Sequence, residues 1–481
     1  MEQITSTLYT IGIIILVILF FNLMIFVHEL GHFLAGKWRG AYIDRFQIWF
    51  GKPIWQKEIG GVKWGLGWIP AGGFVSLPQM EDMEKIEGSA EVPEGLKPLK
   101  ALDKIIIAAA GPFFSLLLAY VFAVIVWGVG KPATAEINTT IGYIMPNSPA
   151  AEAGLLPGDK ITAIDGQTVS KWMGNMEGVT ELVAMSEHEK ITFDIVRTAA
   201  DGTEQKMTIL SGYKVPETSF WQRSAMRKVG IMPAAPATIG KVVENSPAAK
   251  AGLQSGQTIT ALNGTRIFTP YAITEMSEKG QEMTLTLQAK DGTISEVNIR
   301  PAIPANWQGK EGAAPILGVS WAGTIKDIEL EHPSPQAQVN QSLKWMGDTL
   351  DKLFAPGSNI GVQHLSGPVG IGSYIYKMMD AGNGMGWRLV LWFAVVLNVN
   401  LAVLNMLPLP VVDGGHVVLG FVEMIRRKPI NSKILDSIFM GFIMLLMGFF
   451  VFVTLMDIGD LFGGEQEPQE LPAPIFAQIE P

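Results

Sequence analysis

The chain has 481 residues, of which 48% are hydrophobic and only 17% are charged, so it is too apolar and too long for a single soluble domain. Its formal net charge of -9 argues against nucleic acid as a partner. The absence of cysteine excludes disulfides and cysteine-ligated metals, which leaves six histidines and the carboxylates to hold a cation. This composition predicts a membrane protein with a large aqueous part.

Residues 1–38 are predicted to form a first membrane helix, because the run 8–27 carries no charge and is long enough to cross a bilayer. Near its end the chain has an H-E-x-x-H motif formed by His28, Glu29 and His32. In a helix the two histidines lie one turn apart and can bind one zinc ion, with the glutamate beside them as a general base. Ionisable groups at this depth are costly and mark a functional site. The motif therefore predicts a zinc site inside the membrane.

Residues 39–102 are predicted to be a cytoplasmic loop, and 103–130 a second membrane helix. Within the loop, the Gly- and Trp-rich stretch 62–75 is interpreted as a membrane-associated β-hairpin. Two roles remain open for it. The hairpin could clamp an unwound substrate segment as an added strand, or Trp64 and Trp68 could simply anchor the loop at the interface.

An internal repeat predicts two copies of one domain, at 131–228 and 229–305. The 29 residues 141–169 and the 29 residues 239–267 align without a gap and are identical at 15 positions. This is too many for chance, so both copies should share one fold.

Turn signals in the repeat indicate a mostly-β domain with some helix. In both copies Asn-Ser-Pro leads into a short helical turn, and a later strand ends at Asp165-Gly166 or Asn263-Gly264. The pattern resembles the PDZ domain in its circularly permuted bacterial form. The resemblance implies binding of extended peptides, although bulk that shields the site by size is an equally weighted alternative.

Residues 306–386 are predicted to be an amphipathic juxtamembrane region. From Ser334 to Phe354 the apolar residues fall on one helical stripe, which is typical of a helix on a membrane or domain surface.

Residues 387–425 are predicted to contain the third membrane helix and a further metal ligand. Pro408 and Pro410 interrupt the helix, and the glycines that follow allow a tight turn, so Asp413 is expected to point inward from non-helical backbone. His416 is a rival ligand, less favoured than Asp413 by the usual ligand preferences.

Residues 426–461 are predicted to form the fourth membrane helix, and 462–481 an acidic, proline-rich tail. Lysines and arginines cluster in the loops after the first span, before the second, and between the third and fourth. The positive-inside rule makes these loops cytoplasmic. Both termini and the repeated domains are therefore expected outside, in the periplasm of a bacterium, with the motif near the cytoplasmic side of the membrane.

H-E-x-x-H in the first span, N-x-x-P-x-P-x-x-D-G after the third, and tandem PDZ-like domains between them resemble the site-2 protease family of intramembrane zinc metalloproteases. Further motifs similar to those of the family occur at 69–75 and 366–370. The resemblance implies three kinds of site residue: Zn²⁺ ligands (His28, His32 and Asp413), a base that activates water (Glu29) and substrate contacts (Asn405 and Pro408).

Two positions depart from the family pattern. The family commonly has Asn where this chain has Ser115, and a Gly-x-Gly of the first loop reads Trp49-Phe50-Gly51 here. We expect both changes to affect packing or substrate docking, and not the zinc site.

The resemblance implies a polytopic protein of the bacterial inner membrane that cleaves single-span membrane proteins. Its expected substrate is an anti-sigma factor already trimmed by another protease, in an envelope stress response, with remnant signal peptides as a second class. The rivals are a membrane-anchored PDZ adaptor with a structural zinc site and a metallohydrolase acting on lipid. A structural site needs no base, so Glu29 argues against the adaptor, and two peptide-binding domains argue against the lipid hydrolase.

Overall fold

The computed structural model describes eleven segments of the chain: residues 2–80, 96, 98–133, 138–174, 176–199, 201–219, 222–322, 330–381, 384–428, 432–462 and 471–476. The chain divides into two compact units. The first, here called the membrane unit, comprises Met1–Pro132, Leu330–Asp348 and Leu365–Ile458. The second, called the β unit, comprises Ala133–Glu329, Thr349–His364 and Gly459–Pro481.

Long helices dominate the membrane unit. Outside the β domains the helices are Glu2–Arg39, Ala101–Val129, Pro335–Phe354, Pro368–Ala381, Gly386–Asn405, Asp413–Arg426 and Ser432–Phe462. Within the described residues, four stretches are long and apolar enough to cross a membrane: Thr7–Arg39, Ala101–Val129, Gly386–Asn405 and Ser437–Leu461. These four stretches confirm the predicted apolar helices, and we call them the first to fourth membrane helices.

The second membrane helix is a packing centre, because small residues let its neighbours approach closely. A Cβ added at Gly31 of the first helix would lie 2.4 Å from the backbone oxygen of Ala110 in the second. One added at Gly420, in the helix that begins at Asp413, would lie 2.6 Å from a side-chain carbon of the second helix. The first membrane helix and the helix that begins at Asp413 therefore both pack closely against the second membrane helix.

A β-hairpin follows the first membrane helix, with strands Arg45–Ile59 and Val62–Ser76. Gly60 and Gly61 form its turn, with φ of 62° and 79°, where a side chain would be strained. The hairpin is larger than predicted. The stretch 62–75 is almost all of its second strand and pairs with a first strand, Arg45–Ile59, that the Gly and Trp pattern did not indicate.

The hairpin folds over on itself. Phe46 is paired with Val75 and also with Trp64, so the start of the first strand has partners on both sides. Phe46 and Val75 are fully buried, together with Phe33 and Ile107 of the first two membrane helices. This shared core fixes the end of the hairpin against the motif-bearing part of the first helix.

The β unit contains two β domains. The first has strands Ile141–Ile144, Lys160–Ile164, Gln167–Thr168, Ile191–Thr198, Glu204–Ser211 and Ile231–Pro233, and helices Pro149–Ala153 and Val179–Met185. The second has strands Ala237–Val242, Thr258–Leu262, Thr265–Arg266, Met283–Gln288, Ile294–Ile299 and Val319–Trp321, and helices Pro247–Lys250 and Tyr271–Glu278. The remaining short elements are strands Lys131–Pro132 and Leu330–Glu331 and the 3₁₀ turns Pro78–Met80, Ala305–Trp307 and Val362–His364.

Equivalent turns recur in both β domains. Asp165 and Asn263 have φ of 48° and 50°, each followed by a glycine with positive φ, as a two-residue hairpin turn requires. Ser148 and Ser246 cap the short helices, their Oγ atoms accepting hydrogen bonds from backbone amides at 3.2 and 3.1 Å. The repeat in sequence is thus a repeat in local structure.

Each β domain is completed by a late strand that returns beside its first strand. Ile231–Pro233 pairs with Ile141–Ile144, and Val319–Trp321 pairs with Ala237–Val242. Both late strands lie beyond the domain ends predicted at 228 and 305, because short strands of this kind have no distinctive local pattern. Val319–Trp321 is an outer strand of its sheet.

The helix Pro335–Phe354 agrees with the predicted amphipathic stripe. Val339 and Met346 are buried, and the amide of Gln338 donates to the carbonyl of Ala123 in the second membrane helix at 3.0 Å. The start of this helix is therefore packed against a membrane helix.

The backbone of the motif at 366–370 is bound by a carboxylate from the fourth membrane helix. Asp457, which is buried, accepts hydrogen bonds from the backbone amides of Gly370 at 2.8 Å and Gly367 at 3.4 Å. A Cβ at Gly370 would lie 2.5 Å from this carboxylate. The glycines are needed because the carboxylate approaches the backbone closely.

Candidate metal centre

Three side chains from distant parts of the chain meet between the membrane helices. His28 and His32 come from the first membrane helix, and Asp413 begins a later helix. The two Nε2 atoms are 3.3 Å apart. Asp413 Oδ2 lies 3.2 Å from His28 Nε2, and Asp413 Oδ1 lies 3.2 Å from His32 Nε2. All three residues are buried.

The other ring nitrogen of each histidine is held by the second membrane helix. His32 Nδ1 lies 2.8 Å from the carbonyl oxygen of Ile107, which can only accept, so Nδ1 carries the proton. His28 Nδ1 lies 3.0 Å from Ser115 Oγ, which accepts equally well. With Nδ1 protonated in both rings, the Nε2 atoms, which face Asp413, have lone pairs free to bind a metal.

Geometry tests whether a metal fits this group. A tetrahedral zinc with ligand bonds of about 2.0–2.1 Å separates its ligand atoms by about 3.3 Å. Here the two Nε2 atoms are 3.3 Å apart, and each lies 3.2 Å from a different oxygen of the Asp413 carboxylate. Asp413 Oδ2 is buried without a hydrogen-bond donor. Two imidazole nitrogens that face a carboxylate, away from water, suit a bound cation.

Asp413 reaches the group from the first residue of a helix, and not from non-helical backbone as expected. Val412 precedes that helix in an extended conformation. A Cβ at Gly414 would lie 2.3 Å from the oxygen of Leu407, and one at Gly415 would lie 2.1 Å from the oxygen of Leu409. The two glycines let the helix start directly against the proline-interrupted segment, which brings Asp413 back to the histidines.

The rival ligand His416 lies outside the group. Of the residues that the structure describes, His28, His32 and Asp413 form the set able to hold a metal ion. The ring of His416 packs instead against Phe439, with ring centroids 5.5 Å apart.

Glu29 and Asn405 border the group. The backbone of Val75, at the end of the hairpin, lies beside the Glu29 carboxylate. Asn405 Nδ2 lies 3.3 Å from His28 Nε2. Pro408, predicted with Asn405 to contact substrate, is exposed three residues further on. A base candidate, an amide and the metal-binding atoms therefore share one site.

The sequence was also compared with known proteins. It matches the family model described as Peptidase family M50 over residues 14–449. The chain belongs to this family. M50 peptidases are the site-2 protease family, so the chain is a metalloendopeptidase, and its four apolar helices make it a multi-pass membrane protein.

Curated relatives of this M50 peptidase extend over nearly its whole length. The regulator of sigma E protease of Haemophilus influenzae is 28% identical over 462 residues, which cover 94% of this chain and 99% of that protein. The regulator of sigma-E protease RseP of Salmonella typhimurium is 27% identical over 450 residues, covering 90% and 95%. The predicted likeness to the site-2 proteases, and among them to the bacterial regulator of sigma-E protease, is confirmed.

Part of the M50 peptidase is also similar to a solved PDZ domain, that of the SdrC-like protein of Listeria innocua. The match covers 18% of this chain and 96% of that domain, at 17% identity and a TM-score of 0.16.

Ser115 was expected to affect packing or docking, and that expectation is wrong, because its hydroxyl contacts His28 directly. The Ser115→Ala variant of this M50 peptidase removes the contact with little change in volume. We expect its zinc affinity to fall about 10–100-fold, as is typical when a hydrogen-bond partner of a ligating histidine is lost. Competition with a zinc-binding dye measures the affinity.

The matched control is Ser115→Asn, which restores a polar partner and is the residue common in the family. Retention of wild-type affinity by Ser115→Ala would contradict a role for the hydroxyl in orienting His28.

Proposed function

We propose that this M50 peptidase is a zinc-dependent endopeptidase that cleaves single-span membrane proteins within the membrane. The observation that carries the proposal is the convergence of three metal-binding atoms, from His28, His32 and Asp413, beside Glu29 and between helices able to span a membrane. A purely structural zinc site would have no use for a carboxylate held next to its ligands.

Each residue of the site would have a separate role in the reaction. His28, His32 and Asp413 would hold zinc. When bound, zinc would lower the pKa of a water to about 7 and polarise the scissile carbonyl. Glu29 would take the proton from the water and return it to the leaving amine. The amide of Asn405, next to His28, would donate to the substrate.

The substrate has to unwind before it can be cut, because a helix engages its own backbone groups in hydrogen bonds and surrounds them with side chains. The hairpin supports an extended binding mode. Residues 73–76 pair with 45–48 along one side, and Val75 at this place contacts Glu29. An unwound segment added beside 73–76 would run past the base, with Pro408 as a further contact.

We propose an anti-sigma factor trimmed by another protease as the physiological substrate, with remnant signal peptides as a second class. The names of the relatives support this choice. The charged loops support a placement in the bacterial inner membrane with both termini and the β domains in the periplasm. The site would then lie near the cytoplasmic side.

The two β domains would act as PDZ domains that bind extended chains or exclude bulky substrates. The outer strand Val319–Trp321 supports the first role, since a peptide can add beside it.

Zinc dependence and substrate class are tested together. The purified protein in detergent is incubated with a single-span substrate that lacks a bulky external domain, and products are identified by mass spectrometry. We expect one cut inside the spanning segment, its loss with a chelator and its recovery with added zinc, because the ligand set has no other source of Lewis acidity.

The matched control is the same substrate with a folded external domain, which should be cut more slowly. If the zinc-loaded protein cut none of several single-span substrates, the adaptor function would be favoured instead.

A further inference from the structure

The C-terminal segment Leu471–Phe476 lies on the second β domain. Its partner is the 3₁₀ turn Ala305–Trp307, which follows the strand Ile294–Ile299. Four hydrogen bonds join the two. The carbonyl of Ile475 accepts from the amide of Ala305 at 2.8 Å, and the other three bonds involve the side chains of the turn.

The side chains of Asn306 and Trp307 form hydrogen bonds with the backbone of the segment. Asn306 Oδ1 accepts from the amide of Ile475 at 2.9 Å, and its Nδ2 donates to the carbonyl of Ala473 at 2.9 Å. Trp307 Nε1 donates to the carbonyl of Pro472 at 2.7 Å. Successive backbone groups of the segment are thus satisfied by one amide and one indole.

Side-chain burial identifies an anchor. Phe476 is only 8% exposed, whereas the neighbouring Ile475 is 62% exposed. Phe476 packs against Gly318, where an added Cβ would lie 3.0 Å from the phenyl ring. The glycine leaves room for this ring and also for Ser246, whose Cβ would lie 2.3 Å from the added atom.

The segment has the chemistry of a proline-rich ligand. In Leu-Pro-Ala-Pro-Ile-Phe the two prolines favour the extended polyproline conformation, whose carbonyls point outward and are not bonded internally. Domains that bind such peptides combine aromatic rings with side-chain donors to these carbonyls, and benefit from the low entropy of a preformed ligand. Trp307 and Asn306 provide the side-chain donors here.

This surface differs from the edge of the sheet. The segment bonds to the turn at 305–307, and not to the outer strand Val319–Trp321, whose recorded pairing is with Ala237–Val242. A peptide added to the sheet edge would use a different set of backbone groups.

We infer that Asn306, Trp307 and Gly318 form a binding site for a proline-rich peptide with an aromatic anchor, occupied by the chain's own segment Leu471–Phe476. Eight residues, 463–470, link this segment to the end of the fourth membrane helix at Phe462.

A labelled peptide tests the site. The peptide 468–479 is titrated, by fluorescence anisotropy in detergent, into the full-length protein and into a chain ending at Phe462. A short linker gives the attached segment an effective concentration in the millimolar range. We expect the truncated chain to bind the peptide at least about tenfold more tightly than the full-length protein.

The matched control is the same peptide with Phe476→Asp, which should not bind the truncated chain. Equal binding of the wild-type peptide by both proteins, or binding of both peptides alike, would overturn the inference. Absence of binding to a truncated chain that retains the thermal melting profile of the full-length protein would overturn it as well.

A second measurement uses the full-length protein, which contains no natural cysteine. The double variant Ala305→Cys with Ile475→Cys should be joined within the chain by a short bifunctional thiol reagent. Adding Phe476→Asp should slow this reaction at least about tenfold. The control pair replaces Ala305→Cys by Thr293→Cys, an exposed residue in another turn of the same domain. Equal rates for both pairs would show that the segment is not docked.

Discussion

Glu29→Gln should retain one zinc per chain and lose about 10²–10⁴-fold in cleavage rate, the usual contribution of a positioned general base. The substitution keeps the shape of the side chain. The amide of glutamine can occupy the same place beside the backbone of Val75, but it cannot take a proton from water. Fold and metal binding should therefore survive while proton transfer does not.

Two measurements on the same purified sample check this expectation: the zinc content, by atomic emission, and the rate of cutting of a single-span substrate. The matched control is Glu58→Gln, an exposed glutamate on the hairpin, which should behave as wild type. A zinc-loaded Glu29→Gln protein that cuts at the wild-type rate would exclude Glu29 as the base. Loss of zinc from this variant would instead assign Glu29 to holding the ligands.

Gly111→Ala should abolish metal binding and cleavage although it adds a single methyl group. A Cβ at Gly111 would lie 2.2 Å from His32 Nε2 and 2.9 Å from His28 Cε1, inside the contact distance of both rings. The second membrane helix cannot move away at no cost, since the backbone of Ala110 is packed against Gly31 of the first helix. The methyl group must therefore displace the imidazoles from Asp413.

The variant should stay helical, because alanine is a better helix former than glycine by about 1 kcal/mol. The matched control is Gly128→Ala in the same helix, where an added Cβ meets nothing within 4 Å. Zinc content and thermal melting in detergent separate loss of the site from loss of the fold. One zinc per chain in a correctly folded Gly111→Ala protein would contradict the geometry of the centre.

The motif histidines were predictable from the sequence because a helix places residues four apart on one face. Asp413 was predictable as a candidate from its prolines and glycines, and it was favoured over His416 by ligand preference and by resemblance. Its position at the start of a helix was not predictable. The close approach of Gly414 to Leu407 depends on how a whole segment folds back.

The partners of the two histidines could not be inferred from any local pattern. Ser115 and Ile107 lie 87 and 75 residues away from the histidines that they contact. Ile107 contributes only a backbone oxygen, which every residue possesses. The sequence offered one sign of a special role for Ser115, which is that the family commonly has asparagine at this position. That difference was interpreted as an effect on packing or substrate docking.

In the β domains, too, some features were predictable from the local sequence and others were not. Asp165-Gly166 and Asn263-Gly264 specify their turns locally, because both positions need positive φ. The outer strand Val319–Trp321 is three residues long and finds its place only through its partner at Ala237–Val242. Short strands of this kind are determined by tertiary pairing, which a sequence pattern does not encode.

The place of Val75 would link substrate docking to the proposed proton transfer. Val75 lies in a strand segment, 73–76, that pairs with 45–48 on one side, and its backbone lies beside the Glu29 carboxylate. Under the proposed function, a substrate strand added on the other side of this segment would compete with Glu29 for the Val75 amide. The proposed base would then be released as the substrate arrives, which would limit unproductive hydrolysis between substrates.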